Sequence, residues 1–105
     1  MNTYEMAVLL NEGPGRFWKY GEGDTLRRIE PRLAVKGASI PEALEALWFV
    51  GNKHGPDIYG RTYPRTQRSL SSGDVALVFD ANGGYLGQWS CEALGWKQIS
   101  EEVPA

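Results

Sequence analysis

VALVFDANGGYLGQWSC, running from Val75 to Cys91, decides the fold. Val75–Asp80 is apolar almost throughout, the pattern of a central strand covered on both faces. Asn82-Gly83 is a strong short-range hairpin signal, and Tyr85–Cys91 returns as the partner strand. One apolar set holds Val75, Leu77 and Phe79, the other Ala76 and Val78. Both need a cover, and a helix is expected over one of them. Gly95-Trp96-Lys97-Gln98-Ile99 then ends the sheet.

That helix lies upstream. Ser39-Ile40-Pro41-Glu42 offers a capping box, with Ser39 accepting from the backbone of Glu42 and Glu42 reaching back. Pro41 falls in the first turn, where its missing N–H costs nothing. Ile40, Leu44, Leu47 and Trp48 follow at helical spacing, and Gly51 and Asn52 suit the C-terminus. Leu44, Leu47 and Trp48 are expected to carry the helix onto the sheet.

Further toward the N-terminus, Glu5–Leu10 (EMAVLL) favours a strand and stops at the turn formers Asn-Glu-Gly-Pro-Gly. Arg16–Tyr20 (RFWKY) is aromatic-rich and predicts the second arm of a hairpin. Thr25–Ile29 and Leu33–Lys36 are weaker strands interrupted by Pro31, which suits an edge or a bend. Residues 52–68 have no usable period and carry Gly55, Pro56, Gly60 and Pro64, so they predict a long surface connection. The fold class is α+β: a small, mainly antiparallel sheet of about five strands, with one principal helix at about residues 40–50 on one face. Residues 1–105 make a single domain.

The composition narrows the function classes. Apolar residues make up 42% and charged residues 23% of the chain, close to globular averages. The N-terminal apolar run is too short and lacks the basic flank of a signal peptide or membrane span, and Cys91 is the one cysteine. A cytoplasmic location without membrane contact follows as the expectation. The net charge of −2 is unevenly spread. Residues 52–68 carry Lys53, Arg61, Arg65 and Arg68 against Asp57 alone, a local excess of 4 − 1 = 3 positive charges. The pI of 5.4 counts against a dedicated nucleic-acid binder.

Chemistry-bearing candidates are few. Cys91 and His54 form the one available thiol–imidazole pair, yet a thiol nucleophile needs a base within reach and an orienting group. His54 lies in a loop, nothing places Cys91 at a helix N-terminus, and a buried inert cysteine is the competing reading. No HxxxH or CxxC spacing supports a metal, and no glycine-rich turn has the strand–loop–helix setting of a phosphate loop. No cofactor is implied.

The basic loop is the best binding candidate. Lys53, Tyr59, Arg61, Tyr63, Arg65 and Arg68 interleave cationic and aromatic groups. That chemistry serves protein interfaces and single-stranded nucleic acids, and a solvated connection is the plain alternative. Arg61, Tyr63 and Arg65 are expected to be exposed and dispensable for stability. Arg68 is expected to be tied down beside Leu70, which must enter the core. Asp74, Asp80, Glu92 and the rest of the acidic C-terminal third offer internal partners. In Leu70-Ser71-Ser72-Gly73-Asp74, Gly73 permits a left-handed turn and Asp74 accepts backbone N–H groups as the strand begins.

Three stretches carry a family resemblance: "GASIPEALEALWFVGN" from Gly37, "RSLSSGDVALV" from Arg68 and "CEALGW" from Cys91. Together they resemble small proteins encoded by actinobacteria and their phages and plasmids. The block from Arg68 to Val78 is similar to the YodL-like domain, whose Arg-Ser-Leu-Ser-x-Gly-Asp-Val motif precedes a hairpin and a terminal aromatic strand. Ser72 stands where Val is expected. The resemblance spans about residues 39–99 and implies a small α+β accessory domain of mobile elements, without a catalytic residue. The expected function is therefore a non-enzymatic interaction domain whose partner is a host or element-encoded protein. A nucleic-acid-binding module and a small Cys91/His54 enzyme are the alternatives.

Overall fold

A computed structural model describes residues 1–100. Five antiparallel strands form one sheet in the order β2-β1-β3-β4-β5, with a single helix on one face, so the α+β class holds. The strands are β1 (Asn2–Asn11), β2 (Leu26–Gly37), β3 (Val75–Asp80), β4 (Tyr85–Glu92) and β5 (Gly95–Ser100), and the helix α1 (Ile40–Gly51) follows β2.

The hairpin of β3 and β4 forms as its turn residues dictate. The Asp80 carboxylate accepts the backbone N–H groups of Asn82 and Gly84, both at 2.8 Å, which holds the reversal. Val78 and Leu77 are 0% and 6% exposed, so β3 is covered on both sides. The covers differ in kind. On one face Met6, Val8, Leu10, Leu33, Val35 and Val78 pack with Leu44 and Leu47 of α1 in the main core. On the other face Ala7, Leu9, Val75 and Leu77 lie under Tyr20, Leu26, Phe79 and Tyr85, a thin layer built from loop and strand side chains. The Arg32 guanidinium lies 3.9 Å from the Phe79 ring centre and adds to this cover.

Two expected elements differ. Arg16–Tyr20 is not a strand: β1 pairs with β2, and Glu12–Thr25 is a clamped loop between them. Phe17 and Trp18 are adjacent, so a strand would send them to opposite faces, and both are exposed here. Ile29, Leu33 and Val35 instead supply the apolar face that β1 needs beside it. Second, residues 26–37 form one strand rather than two. Its register against β1 shifts between Met6 and Val8, which gives β2 extra residues around the cis Glu30–Pro31 bond. β2 is an edge strand, where proline removes no ladder bond.

α1 starts as its capping residues require. Ser39 Oγ accepts from Glu42 N at 3.4 Å, and the Glu42 carboxylate reaches Ala38 N at 2.7 Å, one residue beyond the box position. Ala43, Leu44, Leu47 and Val50 are buried and define the inward face. Trp48 does not belong to it. At about 100° per residue Trp48 is rotated away from Leu47, and 37% of it is exposed, which corrects its expected burial. Trp48→Ala is therefore expected to cost less than about 2 kcal/mol, below the ~3–5 kcal/mol of a fully buried aromatic. A urea-unfolding comparison with wild type checks this, and a larger loss would place the indole inside the core.

Candidate functional site

The basic loop is held by two buried carboxylates, and these decide which of its residues meet solvent. The first is Asp57, whose side chain is fully buried. Its Oδ1 accepts Arg61 N at 2.7 Å and Tyr59 N at 2.9 Å, closing a tight turn. Its Oδ2 accepts Ala34 N at 2.8 Å and Arg61 Nε at 2.9 Å. Ile58 N also donates to the Ala34 carbonyl, so this segment covers part of the open edge of β2. Burial resists ionisation of Asp57, but the donors from Ala34, Arg61 and Tyr59 outweigh it and hold its pKa below the usual carboxylate value. The far end of the Arg61 guanidinium meets Glu5 at 2.9 Å.

The second is Asp74, also with a fully buried side chain. The Arg68 guanidinium grips it bidentately, with both N–O distances 2.7 Å. Asp74 also accepts Asn11 N at 2.8 Å and Ser71 N at 2.7 Å, while Arg68 donates to the carbonyls of Asn11 and Ser69. The Asp74 hydrogen bonds and charge raise the Arg68 pKa further. Leu70 is buried, as expected, and its N–H donates to Gly51 O at the end of α1. Gly73 has φ +93°, and a Cβ there would collide with the Gly15 carbonyl oxygen, so the turn needs glycine twice over. The block from Arg68 to Asp74 is thus a lock that joins the loop, the end of β1 and the start of β3.

These anchors redistribute the expected site. Tyr63 is 2% exposed, packed in the main core with its hydroxyl donating to Arg68 O at 2.6 Å. Burial, with Asp74 adding to it, pushes its pKa up to about 12. The expected exposure of Tyr63 is therefore wrong, and Arg61 is half-buried in its two ion pairs rather than free. Of the six residues only Lys53, Tyr59 and Arg65 are exposed. Lys53 Nζ contacts Arg65 O at 3.4 Å. The cluster does not form one basic-aromatic surface. Of the expected acidic partners, Asp74 pairs with Arg68, while Glu101 and Glu102 lie outside the described residues.

Among the described residues no hydrogen bond joins Cys91 and His54. Cys91 is buried at the cleft between α1 and the β4–β5 hairpin, and His54 is not among the residues lining it. The His54 ring lies 5.2 Å from that of Phe49. Burial first, then the charges of Asp74, Glu45 and Glu92, push the Cys91 thiol up to about 12, so it is protonated and weakly nucleophilic at neutral pH. Among the described residues no group of three or more His, Cys, Asp or Glu side chains is placed to hold a metal ion, and no helix is long and apolar enough to cross a membrane.

Exposed apolar groups gather elsewhere. Trp48 and Phe49 emerge side by side from α1, the latter 54% exposed. Trp48 lines the cleft of about 430 Å³ together with Leu94 and Trp96. Phe49 lines a second groove of about 300 Å³ with Ala46, Pro56 and Ile58. A smaller patch holds Phe17 and Trp18, 60% and 66% exposed, on the loop clamped by Asp24. Arg68 and Arg16 approach the Phe17 ring at 4.9 and 5.5 Å, and Lys19 approaches Trp18 at 4.9 Å. A signal for the α1 surface stands in the chain: Leu47-Trp48-Phe49-Val50 is apolar all round, and a helix on one sheet buries only one side. No protein-family model matches the sequence, and no curated protein or solved structure matches it either.

Proposed function

We propose that this chain is a non-enzymatic interaction domain that binds a partner protein through the outer face of α1 and the two grooves beside it. The observation that carries the reading is the run of exposed apolar side chains Leu94, Trp48, Phe49 and Ile58, at 104%, 37%, 54% and 40% exposure. Contiguous apolar surface rimmed by polar groups marks interaction sites on soluble domains, and tryptophan is a favoured anchor at interfaces. Burial first, then nearby carboxylates, push the Cys91 thiol up to about 12, which weighs against the Cys91/His54 alternative. The resemblance of the Arg68–Val78 block to YodL-like domains suggests the setting, an accessory protein of a phage or plasmid acting in the cytoplasm on a host or element-encoded protein. The basic loop serves this surface by position: Asp57 holds Ile58 beside Phe49.

A second reading has its own observation. Phe17 and Trp18, exposed and flanked by Arg16, Lys19 and Arg68, have the stacking and charge that single-stranded nucleic acids require. Capture from host lysate separates the two. A Phe49→Asp, Ile58→Asp variant is expected to lose the protein captured by wild type, with the thermal midpoint little changed. A Phe17→Ser, Trp18→Ser variant should retain it. Loss in the second variant only, or capture abolished by nuclease, moves the site to the Phe17 loop.

A further inference from the structure

The cleft between α1 and the β4–β5 hairpin has a composition of its own. Trp48 and Glu45 enter from α1, Trp96 and Glu92 from the hairpin, with Leu94 and the buried Cys91 between them. None of its lining residues is basic, and neither glutamate side chain has a hydrogen bond or ion pair among the described residues. After burial and Asp74, both glutamates also raise the pKa of the Cys91 thiol at the base of the cleft. Two like charges, neither paired with a cation among the described residues, thus line one cleft with two indoles.

A cation resolves this arrangement. Tryptophan is the best aromatic partner for a cation. Unpaired carboxylates add charge-assisted hydrogen bonds to an ammonium or guanidinium group. We propose that the cleft receives a lysine or arginine side chain presented by a basic segment of the partner polypeptide. The occupant is a polypeptide rather than a free amine because the cleft opens beside the exposed Trp48–Phe49 strip, which offers apolar contact to the flanking residues. This inference rests on the interaction reading above and names the chemistry of the partner.

The test follows the indole N–H signals of Trp48 and Trp96 by NMR during titration with a short peptide carrying one arginine among leucine and serine residues. Both signals are expected to shift saturably while Trp18 does not. The same peptide with citrulline, which keeps the shape and loses the charge, is expected to bind at least about tenfold more weakly, a difference of about 1.4 kcal/mol. A Glu45→Gln, Glu92→Gln variant should show the same loss with an unchanged melting curve, since among the described residues neither side chain has a hydrogen bond or ion pair to lose. Equal affinity for arginine and citrulline, unchanged affinity in the double variant, or no saturable shift overturns the cation site. If the Phe49→Asp, Ile58→Asp variant nonetheless loses its captured protein, the interaction reading stands and the cation site alone falls.

Discussion

Asp74→Ala is expected to destabilise the domain by about 3–5 kcal/mol, the cost of removing one partner of a buried ion pair. The change strips four hydrogen bonds from one fully buried carboxylate: two from Arg68 and one each from the backbones of Asn11 and Ser71. The donors left behind remain largely enclosed, and an unsatisfied buried donor costs more than the lost bond was worth. In a domain of this size about 1 kcal/mol shifts the thermal midpoint by at least ~4 °C, so a drop of at least about 12 °C is expected. Chemical denaturation at neutral pH measures the same loss directly. A change below about 1 kcal/mol would mean that Arg68 and Asp74 are not joined in solution. A partial recovery in the double variant Arg68→Met, Asp74→Leu would identify the unpaired guanidinium as the source of the cost.

Tyr63→Ala is the second large effect, again about 3–5 kcal/mol, as for other buried aromatics cut to alanine. The ring is enclosed in the main core although it comes from a segment without regular structure. Tyr63→Phe separates packing from hydrogen bonding. It keeps the ring and removes only the 2.6 Å bond to Arg68 O, and about 1–2 kcal/mol is expected. Because Tyr63 and Asp74 both hold Arg68, their losses should not add, and a double-mutant cycle measures the coupling. A Tyr63→Ala variant as stable as wild type would return this loop to the solvated state that its composition suggests.

Both results bear on how the loop reads as a chain of letters. Gly55, Pro56, Gly60 and Pro64 indicate irregular backbone correctly, since these residues form no helix or strand. Irregular backbone does not imply an exposed side chain, however. Arg61 looks available because one of its two carboxylate partners is remote: Glu5 lies 56 residues away. Asp57 appears in the sequence as the lone acid among four bases, and that imbalance was the available sign of a hub. Asp74 reads as an acceptor at the turn and as a candidate partner for the loop, and only the fold selects Arg68 as the arginine that meets it.

By itself the sequence determined the α+β class, the hairpin around Asn82-Gly83, the helix from Ile40 and its buried Leu44 and Leu47, and the turn at Gly73. Each rests on local rules, in which a residue's backbone preference or its spacing on one element sets the outcome. Tertiary structure alone decided that β1 pairs with residues 26–37 rather than with Arg16–Tyr20, that Tyr63 enters the core, and that Trp48 and Phe49 face outward. Those outcomes depend on which distant surfaces compete for the same burial. Ile29, Leu33 and Val35 align three apolar groups on the face where α1 docks, and adjacent Phe17 and Trp18 cannot. The sheet accepts only one side of α1, so the remaining aromatics are left at the surface proposed to bind a partner.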